Sequence, residues 1–240
     1  MSDRVAKDAL LDEFAAVGKA LGSPKRLELL DLLAQGPRTV EDLARAAELG
    51  LSTCSAHLQR LSAAGLVTTR RDGTRIWYSL AGDDVAALLA DLRAVAQRHR
   101  PGTEPARRAY VGDGDIEEVD VTELLALAEA GDVVVLDVRP DAEYAAGHLP
   151  GAVHIPLGQL EDRLDELPGD LDVVAYCRGA YCAMAHDAVR LLRAHGRQAR
   201  RATDGVLEWR VAGIRVDRTP ETTRTSGHPV KVPARAPSTE

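Results

Sequence analysis

The chain has 240 residues, 45% of them hydrophobic, and a formal net charge of −7, a length that allows two domains of ordinary size. No apolar run approaches the roughly 18 residues that span a bilayer, and the first residues lack the apolar core of a signal peptide, so we expect a cytoplasmic protein with no membrane segment. Three cysteines are too few for a disulfide scaffold and suit a reducing compartment in which a thiol can react.

Positive charge is concentrated in one part of the chain. Between Ser52 and Leu80, four arginines stand against one acidic residue, Asp72. The net negative charge of the whole chain argues against a nucleic-acid partner, but whole-chain charge is a poor guide when domains differ. The local charge therefore permits DNA binding without proving it.

The first block, residues 10–98, is predicted to begin with helices. Ser23-Pro24 predicts a helix start, with serine as the cap and proline at the first helical position. The segment Thr39-Val40-Glu41-Asp42 resembles a capping box and opens a short helix. Ser52 is expected to cap the next helix, which ends at Gly65.

A β-hairpin and a last helix complete this block. Residues 66–70 and 75–79 predict two strands around the turn signal Asp72-Gly73. Residues 83–98 carry apolar side chains on one side and predict a closing helix. This order of helices, hairpin and helix predicts a mainly-α winged helix-turn-helix domain.

The helix from Ser52 to Leu61 is the candidate for the major groove of DNA. Cys54, Leu58 and Leu61 share a face that is expected to pack inward, which leaves a polar face for bases and phosphates. A solvated polar face without a partner is the simpler alternative. Cys54 is interpreted as a small core residue, with a reactive thiol in a first helical turn as the alternative. The predicted DNA-binding residues of this helix and the hairpin are Ser52, Thr53, Ser55, Ala56, His57, Gln59, Arg60, Arg70, Arg71 and Arg75.

Four segments of this block resemble the ArsR-type family of bacterial repressors. They are ALGSPKRL (20–27), STCSAHL (52–58), AGLV (64–67) and GTRIWY (73–78). The resemblance implies a homodimer that pairs through the first and last helices of the block. It also implies an inverted-repeat operator in double-stranded DNA as the partner.

Many members of that family respond to metals through two cysteines, one residue apart, on the helix before the recognition helix. Residues 39–43 contain no cysteine, and the closing helix offers Asp83, Asp84 and Asp91 with only His99 at its far end. Metal ligands need clustered donors. We therefore predict no metal site, and nothing in the sequence indicates a cofactor.

The second block, residues 117–218, alternates strands and helices. Residues 99–116 are rich in proline and glycine and are interpreted as a linker, and residues 219–240 as a disordered tail. Within the block, two β-branched runs predict buried parallel strands. The runs are 133–138 and 173–176, and the predicted helices are 122–130, 157–167 and 183–194. This pattern predicts an α/β domain with a central parallel sheet.

Cys177 directly follows an apolar strand, at the sheet edge where open α/β folds bind ligands. A short loop there, followed by a helix after Cys182, is expected to form an anion cradle of backbone N–H groups. Arg178 adds positive charge. Such a cradle is expected to lower the pKa of the Cys177 thiol, so that it attacks a sulfane sulfur and holds it as a persulfide. A buried, inert cysteine is the alternative.

Several motifs of the second block resemble rhodanese domains, namely DVR (137–139), EY (143–144), GHLPGA (147–152), HIP (154–156), YCRGAYC (176–182) and DGVLEW (204–209). The resemblance implies that Cys177 is the sulfur carrier. The glycine two residues after the cysteine, rather than three, and Cys182 in place of the usual Arg or Thr argue against thiosulfate as the substrate. Asp204 in place of the first glycine of the closing motif is a smaller departure.

Two further roles are assigned within the second block. The polar residues Asp137, Arg139, Glu143 and His148 are interpreted as a network that holds the loop, not as acid–base catalysts. Cys182 is predicted to be a resolving thiol that converts a modified Cys177 into a disulfide.

The leading hypothesis is a two-domain transcriptional repressor whose rhodanese-like domain senses sulfane sulfur or an oxidant through Cys177, Arg178 and Cys182. The second hypothesis is a sulfurtransferase enzyme that forms a Cys177 persulfide, regulated or localised by its DNA-binding domain. A third is that the cysteine domain is an inert dimerisation or interaction module.

Overall fold

The computed structural model of the chain describes residues 2–112 and 116–219. The predicted tail lies outside the described residues, apart from Thr219. The first block is a winged helix-turn-helix and the second is an α/β domain with a parallel sheet, so the predicted fold class is confirmed. Among the described helices, none is long and apolar enough to cross a membrane.

The first block packs five helices around a small antiparallel sheet of order β1-β3-β2. Pro24 stands at the first position of α2, and the side chain of Thr39 caps α3 by accepting a hydrogen bond from the Asp42 amide, as the sequence predicts. The elements are α1 (Ser2–Leu21), α2 (Pro24–Ala34), β1 (Arg38–Thr39), α3 (Val40–Ala46), α4 (Leu51–Ala63), β2 (Val67–Asp72), β3 (Arg75–Leu80) and α5 (Asp83–His99).

The start of α4 differs from the prediction. The helix begins at Leu51 with Gly50 as its N-cap, so Ser52 lies inside the first turn and does not cap it. The physical reason is that the Gly50 carbonyl already accepts the first helical hydrogen bond, from the Cys54 amide at 2.9 Å. The predicted inward face is confirmed, because Cys54, Leu58 and Leu61 are fully buried.

Leucines supply most of the first core. Leu29, Leu30, Leu43 and Leu58 are fully buried, and each buried leucine contributes about 1.5–3 kcal/mol of hydrophobic stabilisation. Leu207, from the second block, belongs to the same buried cluster. The two blocks therefore share apolar contact.

The predicted linker contains a helix, α6 (Thr103–Val111). Its sequence is largely polar, and only Val111 is buried, which explains why apolar periodicity does not reveal it. Glu104 pairs with Arg107 at 2.9 Å and with Arg108 at 2.8 Å, at the spacings that stabilise a helix surface. The Thr103 hydroxyl donates to the Ala96 carbonyl of α5 at 3.0 Å, so α6 is tied to the first block.

The second block is a five-stranded parallel sheet of order β4-β8-β7-β5-β6. The predicted helix over 157–167 is instead two 3₁₀ segments, Leu157–Gln159 and Glu161–Glu166, and the second is kinked at Arg163, whose backbone angles are not helical. The elements are β4 (Glu118–Val119), α7 (Val121–Ala130), β5 (Val133–Asp137), α8 (Asp141–Ala146), β6 (Val153–His154), β7 (Asp172–Tyr176), α9 (Met184–Ala194), β8 (Ala199–Ala202) and α10 (Val206–Val211).

Strand β7 is the central strand and positions the site. Residues 173–176 are buried on both faces, and the Tyr176 ring meets Trp209 edge-on with 4.8 Å between centroids. The chain therefore leaves the sheet at Cys177 from a fixed point, at the carboxyl edge of the strands.

Polar contacts join the two blocks. The Arg139 guanidinium donates to Gln35 Oε1 at 3.2 Å. Arg210 donates to the Ala34 carbonyl at 3.1 Å and to the Asp83 carboxylate at 2.5 Å. The carboxyl edge of the second block thus faces the first block.

Candidate cysteine site and nucleic-acid interface

Cys177 and Cys182 lie in the loop between β7 and α9, called here the cysteine loop (residues 177–182). Both are free thiols, and only 2% of Cys177 and 8% of Cys182 is exposed. The Cys177 Sγ atom lies 3.5 Å from the Cys182 carbonyl oxygen and 4.0 Å from that of Gly179. The structure thus brings together the two thiols that the sequence singles out.

The acidity of the two thiols is the reverse of the sequence-based expectation. Burial raises the pKa of Cys177 well above its usual value, and its hydrogen bond to Cys182 adds to this. The pKa of Cys182 is lowered to about 7, first by the hydrogen bond that Cys177 donates and then by the backbone amides of Arg178 and Met184. Cys182 is therefore the more acidic of the two thiols.

Arg178 is held by a buried carboxylate. Its Nη2 atom donates to Glu143 Oε1 at 2.6 Å and its Nε atom to Oε2 at 2.9 Å, and Glu143 is 1% exposed. Burial lowers the pKa of the Arg178 guanidinium, but the hydrogen bond and charge of Glu143 outweigh it and raise that pKa. The Arg178 charge also favours the Cys182 thiolate, which fits its predicted role beside the cysteines.

The other predicted network residues brace the sheet edge. Arg139 and Asp137 form a fully buried ion pair at 2.6 Å, and Arg139 donates to the Gly147 carbonyl at 2.7 Å. The His148 ring is hydrogen-bonded to the Tyr144 carbonyl at 2.8 Å. Among these four residues, Glu143 is the one whose side chain is hydrogen-bonded to the cysteine loop.

Two residues of the closing motif also shape the loop, although the sequence did not single them out. A Cβ atom added at Gly205 would lie 2.3 Å from the carbonyl carbon of Arg178, so only glycine fits there. Gly179 has a φ of +141°, and a Cβ atom on it would meet the Glu208 carboxylate at 2.6 Å. The two residues are Gly205 and Glu208, and their positions in the DGVLEW motif are the sequence signal that could have identified them.

An open cavity of about 760 Å³ lies beside the loop residue Tyr181. Leu27, Arg100, Arg107 and Tyr110 contribute to its lining. Burial raises the pKa of Tyr110, and the neighbouring charge of Cys182 adds to that shift. The cavity thus borders the cysteine loop at Tyr181. Of its two arginines, Arg107 is paired with Glu104, and Arg100 adds positive charge.

The predicted DNA-binding residues lie on α4 and on the β2–β3 hairpin, called here the wing. On α4, Ser55 and His57 are half-buried, and Ser52, Thr53, Ala56, Gln59 and Arg60 are exposed. Burial lowers the pKa of His57, helped by the charges of Arg26 and Arg60. Arg70, Arg71 and Arg75 are exposed on the wing. The Leu66 amide donates to the Leu61 carbonyl at 3.0 Å, so the wing follows α4 directly.

Cys54 lies in the core of the first block. Cys54 is fully buried, and burial raises its pKa, as a core thiol requires. In the described parts of the chain, no group of three or more His, Cys, Asp or Glu side chains is arranged to hold a metal ion.

Comparisons with known proteins agree with both halves of this description. The family model for bacterial regulatory proteins of the arsR family matches residues 23–69, and that for the rhodanese-like domain matches residues 120–212. The HTH-type transcriptional regulator Rv0324 of Mycobacterium tuberculosis is 53% identical over 216 residues, which cover 90% of this chain and 94% of the relative. This chain belongs to the arsR family of bacterial regulatory proteins.

Two shorter relatives match the separate halves of this arsR-family regulator. The HTH-type transcriptional regulator YgaV of Escherichia coli is 36% identical over 96 residues, or 40% of this chain and 97% of the relative. A protein named Sulfurtransferase, from Allochromatium vinosum, is 32% identical over 100 residues, or 41% of this chain and 92% of the relative. Both resemblances predicted from the sequence are confirmed: the regulator carries a rhodanese-like domain behind its arsR-family domain.

Proposed function

We propose that this regulator is a homodimeric repressor that binds an inverted-repeat operator in double-stranded DNA and senses sulfane sulfur through Cys177 and Cys182. The observation that carries the proposal is a pair of buried free thiols in one loop, of which Cys182 has the lower pKa, set beside Arg178 in an arsR-family protein. A thiolate of pKa near ambient pH is the best attacking group in thiol–disulfide chemistry.

The proposed sensing reaction starts at Cys182. Its thiolate attacks the outer sulfur of a persulfide donor RS–SH, a new S–S bond forms to Cys182, the donor S–S bond breaks, and RS⁻ leaves with the electron pair. The Cys177 thiol then attacks Cys182 Sγ, a Cys177–Cys182 disulfide forms, and hydrosulfide leaves with the electron pair and takes up the Cys177 proton. The sulfane sulfur is reduced to sulfide and the two thiols are oxidised to the disulfide, so no further oxidant is needed.

DNA binding is supported by the exposed polar face of α4 and by the wing. Ser52, Thr53 and Gln59 are available to base edges and phosphates in the major groove. Arg70, Arg71 and Arg75 are exposed on the wing, where they suit phosphate contact.

Dimerisation is supported by apolar side chains that the described residues leave uncovered on α1 and α5. Phe14 is 64% exposed and Val95 is 55% exposed, and Leu10, Leu11 and Leu88 are exposed beside them in sequence. Large exposed apolar patches on a soluble chain mark association surfaces. Both helices are the ones through which the family resemblance implies pairing.

The test is operator binding with and without a defined sulfur donor. Duplexes are selected from a random library by the untreated full chain, and affinity is measured before and after sodium tetrasulfide, with mass spectrometry of the same samples. We expect sulfur uptake at Cys182, disulfide formation with Cys177 and a changed operator affinity. Uptake at Cys54, with Cys177 and Cys182 remaining free thiols, would contradict the proposal. Hydrogen peroxide, tested in parallel, shows whether an oxidant closes the same disulfide.

A sulfurtransferase is the second candidate, favoured by the match to the relative named Sulfurtransferase across the rhodanese-like half. Against rapid turnover stands the burial of both thiols in the core of the second block. Steady-state production of thiocyanate, with thiosulfate or tetrasulfide as the donor and cyanide as the acceptor, distinguishes the enzyme from the sensor. Many turnovers per chain indicate an enzyme, whereas a single stoichiometric event indicates a sensor.

A further inference from the structure

One buried carboxylate joins the cysteine loop to the first block. Glu143 Oε1 accepts a hydrogen bond from Arg178 Nη2 at 2.6 Å and another from Arg38 Nη2 at 2.5 Å. Arg178 belongs to the cysteine loop and Arg38 to β1. The side chain of Glu143 is 1% exposed, that of Arg38 14% and that of Arg178 24%, so the three charges interact with little screening by water.

Two guanidinium groups face one carboxylate in this cluster. Cys182 and Asp31 act on Arg178 as further anions, and Asp31 is itself paired with Arg93. Disulfide formation removes the Cys182 charge and leaves the two guanidinium groups on Glu143 with less negative charge around them. Buried charge that is not compensated is destabilising, so the cluster is stable in the reduced state and weakened in the oxidised state.

The other end of the cysteine loop also contacts the first block. The Tyr181 hydroxyl donates to Gln97 Oε1 of α5 at 3.1 Å, and the Arg93 guanidinium lies 5.8 Å from the Tyr181 ring centroid. Arg93 in turn pairs with Asp31 of α2 at 2.6 Å. The loop is therefore attached at both ends to the DNA-binding block.

The contacts in the first block lead to the elements that are proposed to bind DNA and to dimerise. Arg38 pairs in register with Tyr78 of the wing strand β3, and the next residue, Thr39, caps α3. Gln97 lies on α5, the helix that exposes Leu88 and Val95. A change in the loop thus reaches the wing through Glu143 and Arg38, and it reaches α5 through Gln97.

We propose that the Arg178–Glu143–Arg38 cluster and the Tyr181–Gln97 contact form a clamp between the blocks, closed while Cys177 and Cys182 are reduced and released when they form a disulfide. Release frees β1 and α5 from the second block. In this way the thiol or disulfide state of the two cysteines changes operator affinity. This proposal rests on the proposed function, because it assumes that the thiol pair is the sensor.

The test uses the full chain with Arg38→Met, which keeps the aliphatic stem and removes the charge. The matched control is Arg45→Met, since Arg45 lies on neighbouring α3, is exposed and pairs only with Asp42 among the described residues. Tetrasulfide is expected to change wild-type and Arg45→Met operator affinity by about fivefold or more, a usual size for coupling between sites. In Arg38→Met we expect a change of less than about twofold, although mass spectrometry detects the same disulfide.

Hydrogen exchange of the wild-type chain provides a second measurement that needs no variant. Treatment with tetrasulfide is expected to speed amide exchange in residues 38–46 and in the last turns of α5. Two results overturn the clamp and leave the proposed function standing. In one, Arg38→Met forms the normal disulfide and shows the full change in operator affinity. In the other, the wild-type chain forms the disulfide but exchange in these segments is unchanged. Absence of sulfur from both cysteines of the wild-type chain instead overturns the proposed function.

Discussion

The Cys177 Sγ atom lies 3.5 Å from the carbonyl oxygen of Cys182, at the point where the central strand of the sheet turns toward α9. The Cys177 thiol is thus held against the backbone of the cysteine loop. Burial raises the pKa of Cys177, whereas the hydrogen bond from Cys177 and the backbone amides of Arg178 and Met184 lower the pKa of Cys182.

The order in which the two thiols react with the sulfur donor can be tested by serine substitution. Cys177→Ser should accumulate a persulfide on Cys182, because the resolving thiol is missing. Cys182→Ser should slow sulfur uptake strongly, because the remaining thiol is buried and protonated. Mass spectrometry after tetrasulfide treatment measures both, with Cys54→Ser as the control that should behave as wild type. If the Cys182→Ser chain forms a persulfide on Cys177 at the wild-type rate, Cys177 reacts first, as the sequence predicts.

The rate of the first sulfur transfer should depend on pH through Cys182. Its pKa is lowered to about 7, so below pH 7 the thiol is protonated and the reaction is slow. The rate rises through pH 7 and levels off above about pH 8, where the thiolate fraction exceeds nine-tenths. Stopped-flow kinetics of the first phase in the wild-type chain measures this step, because the Cys177 thiol that lowers the pKa of Cys182 must stay in place. A rate that first rises near pH 9, the usual thiol range, contradicts the assignment.

The exposed apolar side of α5 should be part of the dimer interface. Val95→Arg places an unpaired cation there and should weaken the dimer by roughly 3–5 kcal/mol, the cost of an uncompensated buried charge. Sedimentation velocity at micromolar concentration should then find a monomer. Val211→Arg changes an equally apolar exposed site on the second block and should leave the dimer intact. A wild-type chain that sediments as a monomer rules the interface out.

The wing and helix α4 should affect DNA binding in different ways. Arg71→Ala should weaken binding to all duplexes and reduce the slope of log affinity against log salt by about 0.9 per lost phosphate contact. Gln59→Ala should instead relax sequence preference at one base pair by about 1–3 kcal/mol. Arg215→Ala removes the same charge from an exposed site on the second block and is the control. If Arg71→Ala changes neither affinity nor slope, the wing assignment is wrong.

Gly205 should be required for the shape of the cysteine loop. Gly205→Ala brings a methyl group into the Arg178 backbone and should cost about 1–3 kcal/mol of unfolding free energy, as overpacking does. Gly158→Ala is the matched control for Gly205→Ala, because nothing lies within 4 Å of the added Cβ atom. Urea unfolding measures the difference. Equal stability of the two variants would show that the loop moves aside at little cost.

Local sequence patterns were sufficient for the fold of each block and for the choice of cysteines. The apolar spacing of Cys54, Leu58 and Leu61 defines the inward face of α4, because helical periodicity is local. The β-branched run before Cys177 places that thiol at the carboxyl edge of a parallel sheet for the same reason. The family motifs then identified both domains without any knowledge of their contacts.

Tertiary structure alone decided the thiol acidity and the contact between the blocks. Which thiol is acidic depends on burial and on which amides point at each sulfur, and those groups come from several elements. Arg38 and Glu143 are 105 positions apart, and no local pattern reports which buried carboxylate will share two arginines. The helix α6 was missed for a related reason, since ion pairs and attachment to α5 stabilise it in place of an apolar stripe. The sequence by itself determined what each block is, whereas long-range packing determined how the cysteine loop meets the first block.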